Sequence, residues 1–135
     1  LMFQAAVEII RRGCEHDKSK HEEVELGPLT ELELLIAREG QAPFGPEKYE
    51  QQRMMLGQML KHHYAKNSHH PEHYKNGVEG MDLFDVVEML FDWIAASERG
   101  EASTVNLGAA FKRFKISPQL QSILENTADR LGYAR

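Results

Sequence analysis

Three short stretches of this chain place side chains that could hold a metal ion and act on a phosphate. The first is His16-Asp17-Lys18-Ser19-Lys20. A histidine followed directly by an aspartate at a helix start sets a nitrogen and an oxygen ligand side by side. Such mixed ligation suits Mn, Fe, Ni or Zn rather than Ca. Lys20 follows Asp17 by three residues and shares its helical face, so its ammonium is expected to meet a substrate phosphate. The second stretch is His62-His63-Tyr64-Ala65-Lys66-Asn67-Ser68-His69-His70. His63 continues the apolar face set by Leu56, Met59 and Leu60, and His62 follows Met55 and Met59 in the same way. One histidine on an apolar face is usually a satisfied core residue. Two adjacent ones, with a second pair after a turn, point to ligation by His62 or His63. Lys66, Asn67, His69 and His70 are expected to bind substrate or fix the loop. His21 and His73 read as surface residues.

The third stretch is Glu88-Met89-Leu90-Phe91-Asp92. Leu83, Val87, Leu90 and Ile94 form an apolar stripe, while Asp85, Glu88 and Asp92 lie opposite. Met89, Trp93 and Ala96 flank that acidic stripe, and no Lys or Arg occurs between Met81 and Glu98. A helix apolar nearly all round tends to be buried. A buried carboxylate needs a partner or a metal, so Asp92 is expected to be a distal carboxylate ligand rather than part of a solvated acidic face. Met54, Met55 and Met59 read as core filler, and Cys14 as a small buried hydrophobe.

Helices must position these groups. Residues 2–13 carry Phe3, Ala6, Val7 and Ile10 at helical spacing and are expected to stop at Gly13. A second helix is expected from about Asp17 to Glu25, ending at Gly27-Pro28. Thr30 to Glu33 reads as a capping box that opens a third, ending before Gly40. After a Pro/Gly-rich loop from Gly40 to Gly45, Pro46 suits the first turn of a long helix reaching about Lys66. Asp82 caps a helix running to Glu98 and stopping near Gly100. Asn106 to Phe114 forms a short helix, and Ser117-Pro118 starts the last one, which runs through Arg130 with Gly132 as its stop. No confident strand appears, so the expected class is all-α.

Composition bounds the rest. The chain has 135 residues, 41% apolar and 27% charged, which fits one soluble domain over residues 1–135. Cys14 is the only cysteine, so no internal disulfide can form, which suits a reducing, cytoplasmic compartment. No apolar run approaches the ~20 residues needed to span a bilayer, and no signal-peptide pattern opens the chain. The net charge is −5 and no basic block appears. Lys112, Arg113 and Lys115 read as a solvated helix face, which disfavours nucleic acid as a partner.

Taken together, His16-Asp17-x-Ser19-Lys20, His62-His63-x-x-x-Asn67-x-His69-His70 and Glu88-Met89-x-x-Asp92-x-x-Ala95-Ala96-Ser97 resemble a bacterial and phage family of unknown function, over roughly residues 5–98. Their order also resembles the HD superfamily of metal-dependent phosphohydrolases, and His16-Asp17 with Lys20 looks like its HD-x-x-K variant. That resemblance implies a compact HD-domain-like helical bundle. It implies His16, Asp17 and Asp92 as metal ligands, with His62 or His63 completing the site or holding a second ion. Asp17 and Lys20 would be catalytic, and the substrate a nucleotide or another small phosphate ester. HD proteins usually supply a further histidine from the preceding helix, and residues 1–15 contain none. Either it lies upstream of residue 1, or His62 or His63 replaces it, or the site is degenerate. In the last case a non-catalytic metal-binding or interaction protein is the alternative. The final two helices close the core or pair subunits.

Overall fold

The computed structural model describes residues 1–40, 47, 53–54, 56–98 and 107–133, and every regular element among them is a helix. The start of the expected helix at Pro46, the loop before it, Met55, the stop near Gly100 and Asn106 lie outside the described residues. The chain divides into two compact units: Leu1–Gly13 with Ser68–Arg135, and Cys14–Asn67.

In the larger unit the apolar core is built by α4 (Leu83–Glu98), α5 (Leu107–Arg113) and α6 (Pro118–Arg130). Met89, Leu90 and Ile94 meet Leu107, Phe111, Ile116, Leu124 and Ala128. Burying each large apolar side chain contributes about 1.5–3 kcal/mol. Trp93 stacks on Phe114 with ring centroids 5.5 Å apart. The ends of these helices follow from the sequence as expected. Asp82 Oδ1 accepts from the Phe84 and Asp85 amides. Ser117 Oγ accepts from the Leu120 amide, with Pro118 opening the helix. After α6 the chain turns through Gly132 at φ 83°, while the Tyr133 amide reaches back to the Ala128 carbonyl. That is the Schellman geometry, which favours glycine at the left-handed position. Leu83, assigned to the apolar stripe, is exposed instead; the stripe enters the core two turns later, at Leu90.

The helix α1 (Met2–Glu15) runs on past the expected stop, with Gly13 inside it. Its apolar face does not enter the described core: Phe3, Val7 and Ile10 are exposed. Arg12 makes long-range side-chain bonds from this helix. Cys14 is likewise exposed, not buried.

In the smaller unit a 3₁₀ turn (Lys18–His21) leads into α2 (Glu23–Glu39), which packs against α3 (Gly57–Lys66). The break expected at Gly27-Pro28 is absent, and α2 continues through Pro28. Proline removes one backbone donor and crowds the carbonyl four residues back, but contacts made by Glu25 hold the turns before it. Thr30 therefore caps nothing: its hydroxyl donates to the Leu26 carbonyl within the same helix. Met59 is buried as expected, whereas Met54 is exposed.

Candidate metal centre

The smaller unit buries an uncommon set of groups. Asp17, Ser19, Glu25 and His63 are all withdrawn from solvent, and Glu25 is fully buried. Glu25 sits in the first turn of α2, facing the adjacent histidines of α3. Its carboxylate forks across them: His62 Nδ1 lies 2.7 Å from Oε1 and His63 Nδ1 2.8 Å from Oε2. Burial pushes the Glu25 carboxyl up, but hydrogen bonds from His62, Ser19 and His63 outweigh it and hold the group below its ordinary value. Asn67 Nδ2 donates to the Ser19 hydroxyl at 2.7 Å and to the His63 carbonyl at 2.9 Å.

His63 turns its Nδ1 to Glu25, which leaves Nε2 on the other side of the ring. That arrangement, a carboxylate behind the imidazole, is the one that orients histidine toward a metal. Nε2 lies 3.3 Å from Asp17 Oδ1. On the other side His16 Nε2 lies 3.4 Å from Asp17 Oδ2. Both separations exceed the 2.7–3.2 Å range of a good N–H···O bond. They match the edge, roughly 3.3 Å, between two ligand atoms bound about 2.0–2.1 Å from one tetrahedral ion. An imidazole nitrogen and a carboxylate oxygen at that distance could share one cation. Lys20 Nζ contributes a charge from its own side, 2.5 Å from Asp17 Oδ2.

Asp17 reaches this position from a left-handed backbone, φ 51° and ψ 24°, which is uncommon outside glycine. Such strain persists where surrounding structure fixes it, and it collects at functional sites. Beside the cluster, a cavity of about 520 Å³ is lined by Lys18, Ser19, His21, Lys66 and Asn67, with Glu15 and Glu22.

The larger unit carries a second polar cluster around Arg12. Its Nη2 donates to Asp85 Oδ1 at 2.5 Å, and its Nε to Glu88 Oε2 at 2.7 Å. Ser68 and Tyr74 hydroxyls donate to Asp85 as well, each at 2.6 Å. Burial raises Asp85, but the bonds from Ser68, Tyr74, the Asp82 amide and Arg12 keep its carboxyl below the ordinary range. Burial, and then Asp85 itself, push the Tyr74 hydroxyl up to about 12. Gly80 makes room for this tyrosine, since a Cβ there would come within 2.7 Å of the Tyr74 Cβ. His69 is buried, with Nδ1 3.0 Å from Glu88 Oε1. Its ring lies 4.1 Å from that of His70.

The sequence-derived residues thus fall in two places. His16, Asp17, Lys20, His62, His63, Lys66 and Asn67 belong to the smaller unit, and His69, His70 and Asp92 to the larger. Clustered His and Asp side chains could hold a divalent ion: within the smaller unit His16 with Asp17 and Asp17 with His63, and within the larger His69 with Asp92, each pair offering ligand atoms within 4.8 Å. His62 stands differently. Its Nδ1 is on Glu25, and its Nε2 lies 3.3 Å from Glu22 Oε2. Asp92 is half-buried on α4. His21 and His73 are exposed, as read. Sequence reasoning passed over Glu25, whose flanking residues give no periodic sign of its burial. It also passed over Arg12, although the lack of any cation in α4 implied one from elsewhere.

The chain belongs to a family of unknown function, DUF5662, whose model matches residues 1–130. No curated protein and no solved structure matches it.

Proposed function

We propose that this protein binds a divalent transition ion at Asp17 and uses it to hydrolyse a small phosphate ester, in the manner of HD-type phosphohydrolases. The observation that carries this reading is the line Glu25–His63–Asp17, with His16 on the other face of the same carboxylate. His16, Asp17 and His63 would hold the ion. His62 would act on Glu25 rather than on the ion. A bound ion would supply Lewis acidity toward a phosphoryl oxygen. Lys20, already on the Asp17 carboxylate, would shift to the substrate's charge, and Lys66 and Asn67 would line the adjacent cavity that receives it.

The test is metal analysis of the full chain and of Asp17→Asn, followed by phosphate release from nucleotides and simple monoesters, and ring opening of cyclic nucleotides, with Mn, Fe, Ni and Zn. Stoichiometric metal that the variant loses, with metal-dependent turnover, supports the reading. Equal metal in both proteins sinks it. Metal without turnover leaves the non-catalytic alternative.

A further inference from the structure

We propose that His69 is a metal ligand of this protein, working with Asp92, and that Glu88 is its positioning residue. The proposal rests on the metal-binding reading above and extends it to a histidine that the sequence assigned to substrate.

The larger unit repeats, with different residues, the line of groups seen around Asp17. There a glutamate holds a buried imidazole by Nδ1, and an aspartate faces the same imidazole. Here Glu88 Oε1 takes Nδ1 of His69 at 3.0 Å, and His69 and Asp92 offer ligand atoms within 4.8 Å of each other. Glu88 and Asp92 are four residues apart on α4 and so lie on one face, a turn apart. One helix therefore presents both the carboxylate that orients the imidazole and the one that would share its ion. His69 is 2% exposed.

The orienting carboxylate is itself fixed. Glu88 Oε2 accepts from Arg12 Nε at 2.7 Å, and Arg12 is anchored by Asp85. Each Glu88 oxygen thus has a separate task, one toward the guanidinium and one toward the imidazole. A histidine held this rigidly loses little rotamer freedom when it takes an ion.

Cobalt(II) is the probe, titrated into the metal-stripped full chain and read by its visible d–d absorption. Wild type is compared with His69→Gln, Glu88→Gln and Asp17→Asn, each checked for helical circular dichroism. His69→Gln should weaken cobalt binding at least about tenfold and shift the d–d band, because an imidazole leaves the ion. Glu88→Gln keeps an acceptor for Nδ1 but lowers ligand basicity. It should weaken binding about tenfold or more while leaving the band nearly in place, a signature that mere structural damage does not give. A folded His69→Gln with wild-type affinity and spectrum overturns the proposal. Should His69→Gln fail to fold, Glu88→Gln decides, and unchanged affinity there overturns it. Loss of binding in Asp17→Asn but not in His69→Gln keeps the earlier reading and ends this one. The reverse pattern does the opposite.

Discussion

The smaller unit buries Glu25 under two imidazoles; the larger buries Asp85 under a guanidinium, two hydroxyls and a backbone amide. Both carboxylates stay ionised, but by different means. Arginine is always charged and tyrosine and serine stay neutral, so the Asp85 cluster keeps its balance across ordinary conditions. Imidazole accepts metals, so the balance around Glu25 depends on the ions the solution supplies. The apolar content differs in the same sense. Among the described residues of the smaller unit Met59 is the buried hydrophobe, beside Asp17, Ser19, Glu25 and His63, whereas the larger has a continuous apolar core. One unit is held by apolar burial with a polar clamp, the other by the polar cluster itself.

The sharpest way to break that contrast is Glu25→Ala. Removing one partner of a buried charged cluster costs about 3–5 kcal/mol, and the change should appear in urea unfolding of the whole chain. A loss under about 1 kcal/mol would show that the cluster does not hold the smaller unit. Next in size is the response to metal. At a hundredfold excess over Kd, zinc should stabilise the protein by about 2.7 kcal/mol, with slowed amide exchange in α3. No slowing in α3 would show that the ion does not act on the smaller unit.

In the larger unit Tyr74→Phe deletes a hydrogen bond to an ionised acceptor and should cost about 1.5–3 kcal/mol, with metal content unchanged. The smallest expected effect is a slope. Because the folded Asp85 carboxyl lies below its ordinary 3.8, its contribution is present above that pH. It is lost as pH falls through the lower folded value. Asp85→Asn should therefore flatten the acid limb of stability against pH. An unaltered limb would assign acid sensitivity to other carboxylates.

Most of the helices were legible because their ends carry local chemistry. Asp82, Ser117-Pro118 and Gly132 each act within a few residues, and each behaves as its type predicts. Pro28 was misleading for the opposite reason. Its local preference to break a helix is overridden by contacts that Glu25 makes with residues 37 and 38 positions away. The same distance hid Glu25 and Arg12 from the site: a histidine, aspartate or lysine announces chemistry by type, but a buried glutamate or arginine looks like surface until its partner is known. The apolar spacing of α1 was real, yet spacing cannot say whether a face is covered, and Phe3 and Ile10 remain exposed.

The left-handed backbone at Asp17 has a consequence for how the position tolerates change. Glycine would suit φ 51° better than any residue with a Cβ, so conformational preference and chemistry pull this position in opposite directions. Alanine combines two losses there, the carboxylate and an unfavourable backbone state worth about 1–2 kcal/mol. Asparagine tolerates the left-handed region and discards only the charge. Asp17→Gly and Asp17→Ala lack the same carboxylate, and the alanine variant should be the less stable of the two by about 1 kcal/mol. Thermal unfolding of that pair measures what the backbone gives up to keep an aspartate where a glycine would rest.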